Sequence, residues 1–383
     1  MATGKKKLIA LPIHFEVPEN FTNEPLFQFL KNFKLRSFRL AEHQWVIFAF
    51  FLFIGILDDL VIGALTHNWK SSPGTVGVFD VNNIPPLILS LIVEPGMWTF
   101  FVGFPHALFE LFKALDEKKI LLTEQTFVQE QVDWLQRVFK SWLFGLIALP
   151  VAVSITHYAQ VLIGEYQPVP WFYQGWHFWV MLVRIFGAAY VTVYSVSWSL
   201  LALYTLHRVL SQAKIKVSAY DADNAGGLRF IGTFILSVSR LALIVVPFLV
   251  AETLFAIRLG RGIIGQFNLW LEVIILPLLL ALMIFMPLTA CRKAMFAAKD
   301  EFLNPLRDKI LADVALTYPP ASVSEKQLAE ITALIDFQIK LRKDFPTWPF
   351  DVSMTQQIGL SFLLTLLPIV INIVIQAIRA DAT

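Results

Sequence analysis

Cysteine is almost missing from this sequence. Cys291 is the only one in 383 residues, which excludes an intramolecular disulfide, a thiolate zinc cage and a cysteine-held iron–sulfur cluster. With Arg292 and Lys293 after it, Cys291 is expected to be an inert thiol at the end of an apolar run. Charge is scarce too: 16% of residues are Asp, Glu, Lys or Arg and the net charge is +2, which gives no basic face for nucleic acid. The motifs GxxxxGK[ST], HExxH and GxSxG do not occur, and no arginine repeat marks a voltage sensor. The last apolar run has no lysine for a retinal Schiff base, and His157 is the only histidine well inside an apolar run, so a haem-binding pair is missing. No cofactor and no metal site are expected, and nothing demands an enzyme.

What the chain has in excess is apolar surface. Hydrophobic residues make up 56% of it, and the mean hydropathy is +0.63. A membrane span needs about 20 mostly apolar residues. The stretches that qualify are Trp45 to Leu65, Pro86 to Leu108, Trp142 to Ile163, Phe178 to Leu206, Phe230 to Ile257, Leu269 to Thr289 and Ile358 to Ile378. The fold expected is an all-α integral membrane protein with about seven transmembrane helices.

Lysine and arginine orient these runs, because cytoplasmic connections carry the excess of both. The segment before the first run holds Lys5, Lys6, Lys7, Lys31, Lys34, Arg36 and Arg39, and the next connection only Lys70. Lys113, Lys118, Lys119, Arg137 and Lys140 follow; the connection Gly164 to His177 has none. The loop His207 to Arg229 is basic again, and the next has only Arg258 and Arg261. This alternation puts the N-terminus inside. Tryptophan favours the headgroup layer and agrees: Trp45, Trp142 and Trp348 fall at inner boundaries, Trp69, Trp171, Trp176 and Trp270 at outer ones.

Four regions follow. Residues 1–41 form a cytoplasmic segment without an apolar run, so no cleaved signal peptide is expected. Within it Leu26, Phe27, Phe29, Leu30, Phe33 and Phe38 interleave with Lys31, Lys34, Arg36 and Arg39, the pattern of an amphipathic helix on the inner leaflet or packed on other cytoplasmic helices. Residues 42–291 are the six-span bundle. Residues 292–352 are a cytoplasmic helical hairpin between spans six and seven, with arms Lys293 to Leu316 and Lys326 to Phe345 split by Tyr318-Pro319-Pro320, and Ser322 with Glu325 as a capping box. The apolar positions Ile331, Leu334, Ile335 and Ile339 seal the hairpin to itself or pair subunits. Residues 353–383 carry the final span.

Ionisable groups at membrane depth are costly and mark a bundle interior or a wet cavity. The candidates are Asp58, Asp59, Glu94, Arg184, Arg240, Glu252 and Glu272, nearly all in the outer half of the membrane. Acids outnumber the two arginines, which fits either a cation-attracting cavity or structural pairs with Glu252 and Glu272 at helix ends. Asp59 lies four residues from Gly55 and from Gly63, so another helix can approach it closely. Arg184, Ala188, Thr192, Ser195 and Ser199 form a stripe, as do Thr233, Ser237 and Arg240; such residues serve helix packing or line a polar path. Glu94-Pro95-Gly96 predicts a kink or a break in the second span.

The basic loop contains Asp221, Asp223, Gly226, Gly227 and Leu228. Ala225 and Gly232 occupy positions where a calcium loop needs ligands, so the stretch is not an EF-hand; the glycine pair caps the fifth helix or seats an anion. The loop resembles the HPD-x-x-GGL element of a group of uncharacterised bacterial multi-pass membrane proteins, and Trp348-Pro349-Phe350 resembles the WPF element before their final span. Ala222 stands where that pattern has proline. The resemblance implies a bacterial inner-membrane protein and no particular activity.

Three functions compete on this sequence: a non-enzymatic, homo-oligomeric cation channel or transporter using the outer-half acids; a scaffold or assembly factor that binds a cytoplasmic protein through residues 293–345; and an enzyme acting on a lipid or small molecule in the bilayer. A water-filled pathway requires Asp59 or Glu94 to face water, a scaffold requires the hairpin's apolar stripe to be exposed, and an enzyme requires convergent polar groups in a pocket.

Overall fold

In a computed structural model of the chain, the residues described are 25–32, 34–35, 38–39, 44–65, 75–76, 84–121, 125–165, 169–170, 175–213, 215–217, 225–241, 267–316, 325–345 and 354–357, with isolated positions elsewhere. They are almost all helical. Among them, extended pairing is limited to two-residue ladders, Lys34–Leu35 with Phe38–Arg39 and Thr75–Val76 with Val169–Pro170, and one bridge between Leu121 and Ile215.

The helices are α1 (Pro25–Asn32), α2 (Gln44–Gly55), α3 (Glu94–Glu117), α4 (Gln125–Lys140), α5 (Leu143–Glu165), α6 (Gly175–Gln212), α7 (Phe267–Leu316) and α8 (Glu325–Asp344). Residues 229–241 are helical as well. Among the described residues two helices are long and apolar enough to cross a membrane: Gln44–Ile62, which is α2 with its continuation, and α6. Thr126–Lys140 and Leu143–His157, bent by 45° at their junction, count as a third if they form one span. The bend separates a charged helix bearing Glu130, Asp133, Arg137 and Lys140 from an apolar one. The fifth apolar run beyond residue 241, and the seventh apart from isolated positions, lie outside the described residues.

α6 is the hub. It packs against α3, α4, α5 and α7, while α2 packs against α3 and α8 against α7. Its 38 residues span about 57 Å at 1.5 Å per residue, nearly twice a bilayer's hydrocarbon core of about 30 Å. In its second half Trp198 is fully buried among rings. Phe101 stacks on it at 5.3 Å, with Tyr194 at 4.8 Å, Phe139 at 5.5 Å and Phe27 at 6.2 Å. Phe27 is itself buried, so α1 docks an aromatic ring into the core between α3 and α6. Of the two placements expected for this amphipathic helix, the contact favours packing on other helices.

Parts of the exterior carry large apolar side chains. Trp45, Phe53, Trp142, Trp179, Val183 and Phe285 are all more than half exposed, as bilayer-facing side chains are.

Candidate functional site: a charge cluster around Arg184

Arg184 lies nine residues into α6, about 14 Å along its axis from Gly175. Its guanidinium gathers acids from two other helical segments. Nη1 donates to Asp58 Oδ2 at 2.7 Å, Nη2 to Glu94 Oε2 at 2.8 Å and Nε to the same Oε2 at 3.0 Å; Asp59 Oδ1 is 3.7 Å from Nη1. Ser90 donates its hydroxyl to Asp59 Oδ2. At the edge, His177 Nδ1 is 3.8 Å from Asp58 Oδ1. Asp59 is 4% exposed and Glu94 5%, so neither faces water and the condition for an open, water-filled pathway is not met in this conformation. The crevice along Leu89, Ser90, Glu94, Met181, Arg184 and Ala188 has no room for a water molecule. Three carboxylates thus share one guanidinium, Asp59 and Glu94 sealed from water and Asp58 partly exposed at the edge.

The helices bring these groups together by departing from α geometry. Ile56–Ile62, carrying Asp58 and Asp59, and Leu89–Val93, immediately before Glu94, are π-helical. The Glu94 amide bonds the Leu89 carbonyl, five residues back. Pro95 has no amide to donate, so the wider turn ahead of it absorbs the mismatch, and Glu94-Pro95-Gly96 continues as the first turn of α3 without a break. Single π turns in helices occur often at functional sites. Two of them flank this cluster.

Gly55 supplies the close approach expected beside Asp59. A Cβ there would come within 2.7 Å of the Ser90 carbonyl oxygen, so the segment bearing the aspartates lies backbone to backbone on the segment bearing Ser90 and Glu94. Gly63 is buried as well.

Of the remaining candidates, the stripe on α6 is largely buried: Ala188, Ser195 and Ser199 face the interior, and Thr192 bonds its own helix at the Ala188 carbonyl. The Ser195 and Ser199 hydroxyls have no hydrogen-bond partner among the described residues. On 229–241, Thr233 and Ser237 turn back to the carbonyls of Arg229 and Phe234. Arg240 is exposed and no ion pair among the described residues holds it, so the second arginine does not share the acids. Gly226 and Gly227 adopt φ of 66° and 86°, a left-handed turn that only glycine makes without strain, and the Leu228 amide bonds the Ala225 carbonyl ahead of the helix. Asp221, Asp223 and Glu252 lie outside the described residues, as does the side chain of Glu272, whose backbone belongs to α7.

The sequence reading missed Ser90 and His177. Both carried a signal: Ser90 precedes Glu94 by four residues and His177 precedes Arg184 by seven, so each sits on the charged face of its own helix. Among the described residues no group of three or more His, Cys, Asp and Glu side chains is disposed to hold a metal ion. A second cleft, between the end of α6 and α7, is lined by Leu210, Ser211, Ile215, Ala294, Lys293 and Glu301. Comparison of the chain with protein families, curated proteins and solved structures finds no match in any of the three.

Proposed function

We propose that this chain is a seven-span protein of a bacterial inner membrane that binds and passes a cation through the Arg184 cluster, closed in the conformation described here. Its N-terminus is cytoplasmic, six spans end near residue 291, the second half of α7 and α8 form a cytoplasmic hairpin, and the last span follows residue 352.

Contacts between connections support this topology. The Thr75–Val76 and Val169–Pro170 ladder joins two connections assigned to the outside. The Leu121–Ile215 bridge and the Lys216 amide bonded to the Ile120 carbonyl join two assigned to the inside, and the His14 amide bonds Gln129 Oε1, again inside to inside. A failure of any one of the first four spans to cross would put such partners on opposite faces.

The observation that carries the functional reading is the imbalance within the cluster. A purely structural ion pair at membrane depth works best when charge cancels, yet Arg184 faces Asp58, Asp59 and Glu94. The surplus negative charge favours a proton or another cation. Because the adjoining crevice is narrower than water, a proton fits the closed cluster, whereas a hydrated ion needs the π turns to rearrange. His177 and the partly exposed Asp58 supply an entrance at the outer edge.

The test is cation flux into liposomes holding the purified protein, read with a pH-sensitive dye and with alkali-metal indicators. Flux in the wild type that is lost in folded Asp59→Asn and Glu94→Gln is the expected result. Absence of flux for H⁺, Na⁺ and K⁺ in folded wild-type protein, or flux indifferent to both substitutions, overturns the reading.

A scaffold role draws support from a separate observation, the exposed apolar positions of α8. It needs no flux, so the same experiment separates the two.

A further inference from the structure

One face of α8 has no partner among the described residues. Where the helix packs on α7, Leu341 and Phe345 are buried and Lys299 Nζ donates to the Arg342 carbonyl at 2.6 Å. Leu328, Ile335 and Ile339 are 60%, 37% and 60% exposed. Steps of seven and four residues place these three on one stripe, about a third of a turn from the face that holds Leu341 and Phe345. The helix also carries Glu325, Lys326, Glu330, Asp336, Lys340, Arg342 and Lys343, so it cannot lie among lipid tails, and the stripe is apolar surface turned to water in a single copy.

We propose that this stripe is the seam of a homodimer, with α8 packed antiparallel on α8 of a second copy about a two-fold axis at Ile335. Charge selects the occupant and its direction. Glu325, Glu330 and Asp336 outweigh Lys326 in the first part of the helix, and Lys340, Arg342 and Lys343 outweigh Asp344 at its end. A parallel pair stacks like charge on like; an antiparallel pair lays the acidic end of each helix along the basic end of the other. With the axis at Ile335, that side chain meets its own counterpart, Ile331 meets the second copy's Ile339, Leu328 meets the aliphatic stem of Arg342, and Glu325 comes beside Lys343. A bilayer surface fits less well, because an anionic leaflet repels the acidic half.

The experiment is cross-linking of the full-length protein in membranes, in a Cys291→Ala background, with a short bis-maleimide. Ile335→Cys is expected to link to itself. Leu328→Cys alone is not, because its counterpart lies 14 residues along the seam, about 21 Å away, whereas Leu328→Cys co-expressed with Arg342→Cys is. Light scattering on Ile335→Asp in detergent is expected to show a monomer with unchanged helical circular dichroism. Self-linking of Leu328→Cys, with or without linking of Ile335→Cys, overturns the antiparallel seam. Folded protein that links at none of these positions and is monomeric as wild type, or Ile335→Asp that stays dimeric, overturns the dimer and gives the stripe to a lipid surface or a different protein.

Discussion

Arg184 places two donors, Nε and Nη2, on a single oxygen of Glu94, Oε2, at 3.0 and 2.8 Å, and this leaves Nη1 free to reach Asp58. A flat guanidinium with donors on three nitrogens can serve two segments at once, and a lysine ammonium cannot hold the same geometry.

Arg184→Ala is therefore expected to destabilise the protein by about 3–5 kcal/mol, the usual cost of stranding buried charges, and Arg184→Lys is expected to recover only a small part of it. Thermal unfolding in detergent measures both.

Much of the loss in Arg184→Ala comes from stranded carboxylates, so the double variant Arg184→Ala with Glu94→Gln is expected to be more stable than Arg184→Ala alone. A double-mutant cycle at this pair is expected to give a coupling well above the ~0.5 kcal/mol found for independent sites. Additive effects count against a shared site.

Gly55→Leu drives a side chain into the Ser90 carbonyl and is expected to cost about 1–3 kcal/mol as the helices are forced apart. Flux, if the wild type has it, is expected to change in the same variant because the π turns bearing Asp59 and Ser90 move with the backbone.

Trp198→Ala removes the ring at the centre of the aromatic core and is expected to cost about 3–5 kcal/mol, with Trp198→Phe milder. Phe27→Ala is expected to loosen α1, read as faster proteolysis of the N-terminal segment in otherwise folded protein.

Cys291 has no exposed surface, so maleimide is expected to label it only after denaturation. Labelling in native membranes counts against the packing of α7 on α6.

The helical segments were legible because both of their determinants are local. Apolar run length and helical period set them: the stretch expected from Lys326 to Phe345 falls within a residue of Glu325–Asp344, whereas the one expected from Lys293 to Leu316 has no start of its own and is the end of the unbroken α7. Asp59 with Gly55 was legible for the same reason: a spacing of four residues declares one helix face. The π turns were not legible, because no residue type in Ile56–Ile62 or Leu89–Val93 marks a wider turn, and the irregularity expected at Glu94-Pro95-Gly96 as a kink or a break lies in the residues ahead of it.

By itself, the sequence determined that this chain is helical and apolar, and which charges lie in apolar runs. Only the tertiary structure decided which of them meet. Arg184 takes its partners from residues 90 and 126 positions away, while Arg240, equally suited by composition, stands exposed. Periodicity fixes a side chain's face on its own helix, but the neighbour across that face depends on how helices pack, and packing here is set by a glycine contact, a pair of π turns and the aromatic core around Trp198.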